Sequence, residues 1–123
     1  MTELHERLLI VDAANVVGSV PNGWWRDRAG AAERLRDALA GARLPGEVIL
    51  VVEGRAGKVR SVPGVEVVSA HGSGDDTIVD LVRRVRGSRP VNVVTADREL
   101  RERVSRLGAS LTGPRDLRAR IGY

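Results

Sequence analysis

Three apolar runs in this 123-residue chain each lead into a carboxylate, and this pattern limits the fold more than any other feature. LLIVD ends at Asp12, VILVVE ends at Glu53, and VNVVTAD carries Asp97 just past its run. Unbroken runs of Val, Ile and Leu suit strands buried on both faces, as in a parallel sheet between helical layers. In an open parallel sheet the strand C-termini share one edge, and ligands bind in the crevice beside it. Asp12, Glu53 and Asp97 are therefore expected to meet. A fourth acidic pair, Asp75 and Asp76 in SGDDTIVDLV, opens a helical pattern and is expected to join them.

The residue types available narrow the chemistry. There is no Phe, one Tyr and two Trp, so the core must be aliphatic, which suits β-branched strands under Leu- and Ala-rich helices. There is no cysteine, which excludes disulfides and thiolate zinc sites and fits a reducing compartment. A cluster of carboxylates alone suits a hard divalent cation and metal-assisted attack on a phosphate ester. The length is that of one domain, residues 1–123. MTELHERLLIVD is mixed in charge with a short apolar run, unlike a signal peptide, and no apolar stretch approaches the roughly 20 residues that span a bilayer. A soluble, cytoplasmic protein without a membrane partner is expected.

Charge is distributed unevenly. Residues 1–82 hold nine basic and twelve acidic residues, a balance of −3. Residues 83–123 hold eleven arginines against Asp97, Glu99, Glu102 and Asp116, a balance of +7. An acidic pocket beside a basic flank is what a metal-dependent enzyme acting on a polyanion needs. Only Lys58 is a lysine, so codon bias and ordinary solvation account for the arginines equally well.

Periodicity predicts strands at 8–12, 48–53, 65–70, 91–95 and 109–112, and helices at 29–42, 75–85, 98–107 and 115–121. The segment between the first strand and the first helix, which contains Gly18, Pro21, Asn22 and Gly23, reads as a loop. The order predicts an α/β three-layer sandwich around a parallel sheet. The 54–64 link is near the lower length limit for a parallel crossover.

Each acid has a bland explanation beside the functional one. A charge ending a buried strand is costly unless paired, so Asp12 either binds a cation or accepts backbone N–H groups in the following segment. Asn15 either orients Asp12 and substrate or makes an ordinary Asx turn. Asp97 precedes RELRERV and would cap that helix. Ser73-x-x-Asp76 reads as a capping box, and Asp75 suits a positive helix end. Capping does not explain why Asp12 and Glu53 end strands on the same predicted edge. Asp80, one turn past Asp76, is expected to be solvated, and Thr95 is placed to face the crevice.

HGSG resembles a phosphate loop, but Asp75 and Asp76 would repel an anion there unless a cation intervened. No GxxxxGK[ST] is present. His71, a lone loop histidine, reads as solvated or structural before it reads as a proton-transfer group. Trp24 and Trp25 are suited to stacking on bases, with at least one expected to pack into the core.

LLIVDAANVVG, GDDTIVDLV and VVTADRELRERVSRLGA together resemble an NYN domain of the PIN-like nuclease superfamily, most like its YacP-like branch. The resemblance implies a PIN-like strand order 3-2-1-4-5, a carboxylate-held Mg²⁺ or Mn²⁺, and cleavage of RNA. By motif matching, it makes Asp12, Asp75 and Asp97 the metal-ligating acids and Asn15 their companion. Glu53 stands where the family often has aspartate, and Ala13-Ala14 replaces the glycine and bulky residue common before the asparagine. The implied activity is a metal-dependent endoribonuclease on single-stranded RNA, leaving a 5′-phosphate and a 3′-hydroxyl. Glu53 and Asp76 would assist directly or through water, while Arg98 and Arg101 would grip the RNA backbone. The ribosome is one partner compatible with delivering such an enzyme to its RNA.

Three other readings compete. A non-catalytic RNA-binding or partner-binding module predicts binding without turnover. A small-molecule phosphohydrolase predicts preference for nucleotides over oligonucleotides. A response-regulator receiver is disfavoured because VEVVSA does not end in a phosphoacceptor aspartate.

Overall fold

The computed structural model describes residues 7–56 and 58–123; residues 1–6, on which the expectation about a signal peptide partly falls, lie outside the described residues. The elements are β1 (Leu8–Asp12), α1 (Ala13–Gly18), α2 (Arg28–Ala42), β2 (Glu47–Val52), β3 (Glu66–Ser69), α3 (Gly74–Val85), β4 (Val91–Val94), α4 (Arg98–Arg106), β5 (Ser110–Thr112) and α5 (Pro114–Ile121). All four strand pairings are parallel, in the order β3-β2-β1-β4-β5. Both the predicted layer architecture and the strand order implied by the PIN-like resemblance are observed.

Alternation along the strands explains why the runs are apolar throughout. Val11, Leu50, Val52 and Val94 face a core shared with α1, α2 and α5, including Val16, Leu35, Leu39 and Leu117. Ile10, Ile49, Val51 and Val93 face a second core with α3 and α4, including Ile78, Val82, Leu100 and Val104. The apolar positions of the inner strands thus meet helices on one face or the other, which is why these runs lack a period-2 alternation of polarity.

Two local outcomes differ from the sequence reading. Residues 13–18, read as the start of a loop, form α1 directly after β1. AANVVG has poor intrinsic helix propensity, with two β-branched residues and a glycine. Burial of Ala13, Val16 and Val17 stabilises it instead. The link between β2 and β3 contains a 3₁₀ turn at Gly54–Ala56 and an antiparallel bridge between Val62 and Val65. Among the described residues, no helix is long and apolar enough to cross a membrane.

Candidate functional site

From β1 the chain crosses to β2 on one side, while β4 lies on the other side of β1. The order reverses between β1 and β4, and the crevice at their C-terminal ends is where an open α/β sheet binds ligands. Asp12 ends β1 and Asp97 follows β4, so both stand at this switch point.

Asp12 is the buried centre of the arrangement, only 8% exposed. Its Oδ2 accepts from the Thr95 hydroxyl at 2.9 Å, and its Oδ1 accepts from Asn15 N–H at 3.4 Å. Burial pushes its carboxyl pKa up to about 6; the two hydrogen bonds oppose this, and repulsion from Asp75 and Glu53 adds to it. Thr95 is fully buried, and its hydroxyl also accepts from Asp97 N–H at 3.1 Å. Asn15 reaches across from α1, its Oδ1 accepting from Ala96 N–H at 2.8 Å. Bonds spanning 83 and 81 residues of chain thus tie the Asp12–Asn15 segment to the Thr95–Asp97 segment.

Asp75 joins the cluster from the opposite helical layer. Its pKa is raised, first by burial, then by repulsion from Asp97 and Glu53, with Arg103 pulling the other way and Glu99 raising it further. Glu53 acts on both Asp12 and Asp75. Its Oε2 accepts from Gly74 N–H at 2.6 Å, at the first residue of α3. A Cβ on residue 74 would sit 2.5 Å from that oxygen, so a side chain there would displace the Glu53 carboxylate. The HGSG segment thus receives a carboxylate of its own chain at the helix end that would otherwise attract an external anion.

The capping explanations also hold. Asp97 Oδ1 accepts from Leu100 N–H at 3.0 Å, which caps α4. Ser73 caps α3 by accepting from Asp75 N–H at 3.1 Å, one position earlier than a capping box predicts. Asp76 turns elsewhere: its side chain is 72% exposed and pairs with Arg103 at 3.1 Å. Asp80 pairs loosely with Arg83 and is exposed, as expected of a solvated helix residue. His71 is exposed.

Arg98 and Arg101 line a shallow groove with Arg106, beginning at Ala96 beside the acidic crevice. Arg98 is exposed, whereas half-buried Arg101 donates to the Thr95 carbonyl at 2.7 Å and so also braces the end of β4. Arg103 was not singled out by the sequence. Its approach to Asp75 and Asp76 depends on how α4 packs beside α3, for which the sequence carries no local signal.

The donors fit a hard cation. They are carboxylate, hydroxyl and amide oxygens, with no sulfur. Among the described residues, no three acidic or histidine side chains stand close enough together to chelate one ion. Mg²⁺ dehydrates reluctantly and is usually held by one or two carboxylates with several waters. The set therefore fits a hydrated ion held directly by one or two acids and through water by the others, rather than a closed cage.

No protein-family model matches this chain, and no curated protein does. Solved structures do. Two crystal structures of Rae1 (YacP) from Bacillus subtilis, one of them a mutant form, superpose with TM-scores of 0.76 and 0.72. They cover 94% of this chain and 73% and 74% of theirs, at 21% and 20% identity. The chain has the fold of Rae1. The YacP-like resemblance carried by the sequence motifs and the likeness to Rae1 in three dimensions agree at the level of fold.

Proposed function

We propose that this protein is a metal-dependent endoribonuclease acting on single-stranded RNA. The observation that carries the reading is that Thr95 ties Asp12 at the end of β1 to the Asp97 backbone at the β4–α4 junction, with Asp75 of α3 near enough to act on both acids. The fold shared with Rae1 (YacP) supports a nuclease-type function, and the acid–arginine asymmetry supports a polyanionic substrate. One or two of Asp12, Asp75 and Asp97 would hold Mg²⁺ or Mn²⁺ directly and the rest through water, with Glu53 also contributing through water and Asp76 held back by Arg103. When bound, the ion supplies a Lewis acid that acidifies water and neutralises charge developing on the phosphate.

The remaining work falls to the chain itself. Thr95 and Asn15 N–H fix the Asp12 carboxylate, and Asn15 fixes the 96–97 backbone, so two acids keep their spacing when a charged substrate arrives. Arg98, with Arg101 and Arg106 along the groove, would contact RNA phosphates, giving affinity that falls with salt and carries little sequence information. In-line attack would leave a 5′-phosphate and a 3′-hydroxyl. RNA delivery by the ribosome and a cytoplasmic setting belong to the same proposal.

A second reading is a non-catalytic RNA-binding module. It is supported by the lack of a preformed three-acid cage among the described residues and by the helix cap that Asp97 already provides. Asp97→Asn separates the two, because Asn caps a helix about as well as Asp but lacks the charge. With Mn²⁺ present, cleavage of a single-stranded RNA should fall by at least about a hundredfold, in line with losses at metal sites. Folding and RNA binding should persist. Equal cleavage by wild type and Asp97→Asn would exclude the enzymatic role given to this residue.

A further inference from the structure

Beside the carboxylate edge, on the α1–α2 face of the sheet, lies a cavity of about 210 Å³. Ala13, Ala14 and Ala56 leave the room, and Trp24 supplies an aromatic wall. Two opposite charges, Arg28 and Glu53, line it as well. The Arg28 guanidinium lies over the Trp24 ring, 5.3 Å from its centroid. Glu53 gives one carboxylate oxygen to Gly74 N–H and has a second to offer.

We propose that this cavity is a base subsite that takes a single guanine of the RNA strand, an inference that rests on the ribonuclease reading above. Ligand pockets for drug-sized molecules run to about 300–1,000 Å³, so this one suits a single ring system. Its apolar walls and the Glu53 carboxylate disfavour a phosphate, while an aromatic wall favours a flat base. Guanine matches the charged pair on both of its edges. N1–H and the N2 amino group donate side by side to a carboxylate, and N7 and O6 accept from an arginine. Uracil offers one N–H flanked by two carbonyl oxygens, which the carboxylate repels. The position is also right for a strand at the acidic crevice: Ala13 follows Asp12 directly, and Glu53 acts on both Asp12 and Asp75. A nucleotide whose phosphate lies at the acids places its base within reach of this cavity.

The chain has two tryptophans, so Trp25→Phe leaves Trp24 as the sole reporter at the cavity. In that background, without Mg²⁺ or Mn²⁺, GMP should quench the fluorescence at concentrations about tenfold lower than UMP, the discrimination of one good paired contact. Glu53→Gln keeps an acceptor for Gly74 N–H but presents an amide donor to the base, and should bring GMP and UMP to near parity. Ala14→Phe fills the cavity from an exposed position and should abolish GMP quenching. Equal responses to GMP and UMP, no response to either in the millimolar range, or an unchanged GMP response in Ala14→Phe would overturn the proposal. If Ala14→Phe does not fold, Arg28→Gln at an exposed position decides: undiminished preference for GMP overturns it. The two readings fail separately. RNA cleavage with no nucleotide preference removes the subsite and leaves the nuclease; selective GMP binding with no cleavage in Mn²⁺ does the reverse.

Discussion

At Asp12 the site and the stability of the fold oppose each other. The unperturbed carboxyl titrates at 3.8, and burial raises it to about 6 in the folded protein. Below pH 3.8 both states hold the proton, and the folded state keeps its full advantage. Between the two values the unfolded chain releases a proton that the folded one retains, so stability falls as pH rises. Above about pH 6 the loss is complete, on the order of 3 kcal/mol. Asp12→Asn should therefore raise the melting temperature by several degrees on the alkaline side of this window and change it little on the acidic side. Parallel melting curves for the two proteins across the window would show that Asp12 is not held in a strained charge state.

The elements around the crevice divide the arginines between two jobs. Arg101 donates to the Thr95 carbonyl from within α4, and Thr95 in turn holds Asp12 and Asp97. Arg98, one turn earlier, is exposed. Arg101→Gln should cost about 1–3 kcal/mol in denaturant unfolding, the range for a charge-assisted hydrogen bond. Arg98→Gln should leave stability within about 0.5 kcal/mol, as surface changes usually do. On RNA the order reverses in kind: Arg98→Gln should weaken binding evenly across sequences and flatten its salt dependence. If Arg98→Gln destabilises the fold as much as Arg101→Gln does, the division between bracing and binding is wrong.

Across the whole molecule, acids gather at one sheet edge and residues 83–123 carry a balance of +7. In the folded state Asp75 and Glu53 repel Asp12, and Asp97 and Glu53 repel Asp75. A divalent cation that binds only that state relieves the repulsion and stabilises by mass action. Mn²⁺ should raise the wild-type melting temperature in a concentration-dependent way, and Asp12→Asn should blunt the rise. A wild-type melting curve that stays put well into the millimolar range would leave these carboxylates as caps and buried acceptors.

Much of this was legible in the sequence because it is local or periodic. Unbroken Val, Ile and Leu runs require burial on both faces, so the parallel sheet and its helical layers followed from the pattern. Strand ends and helix starts follow from the same periodicity, which brought Asp12, Asp75 and Asp97 to one edge and made Asp97 a cap. What packing decides was not legible. α1 forms from a poor helix sequence because Val16 and Val17 are buried. Asp76 faces Arg103 rather than the cluster because α4 packs beside α3. Glu53 meets Gly74 across 21 residues, and Trp24, Arg28 and Ala14 enclose a cavity only once α1, α2 and β2 are in place. Periodicity specifies which face a residue takes on its own element, whereas sheet register and helix packing specify which side chain it meets there.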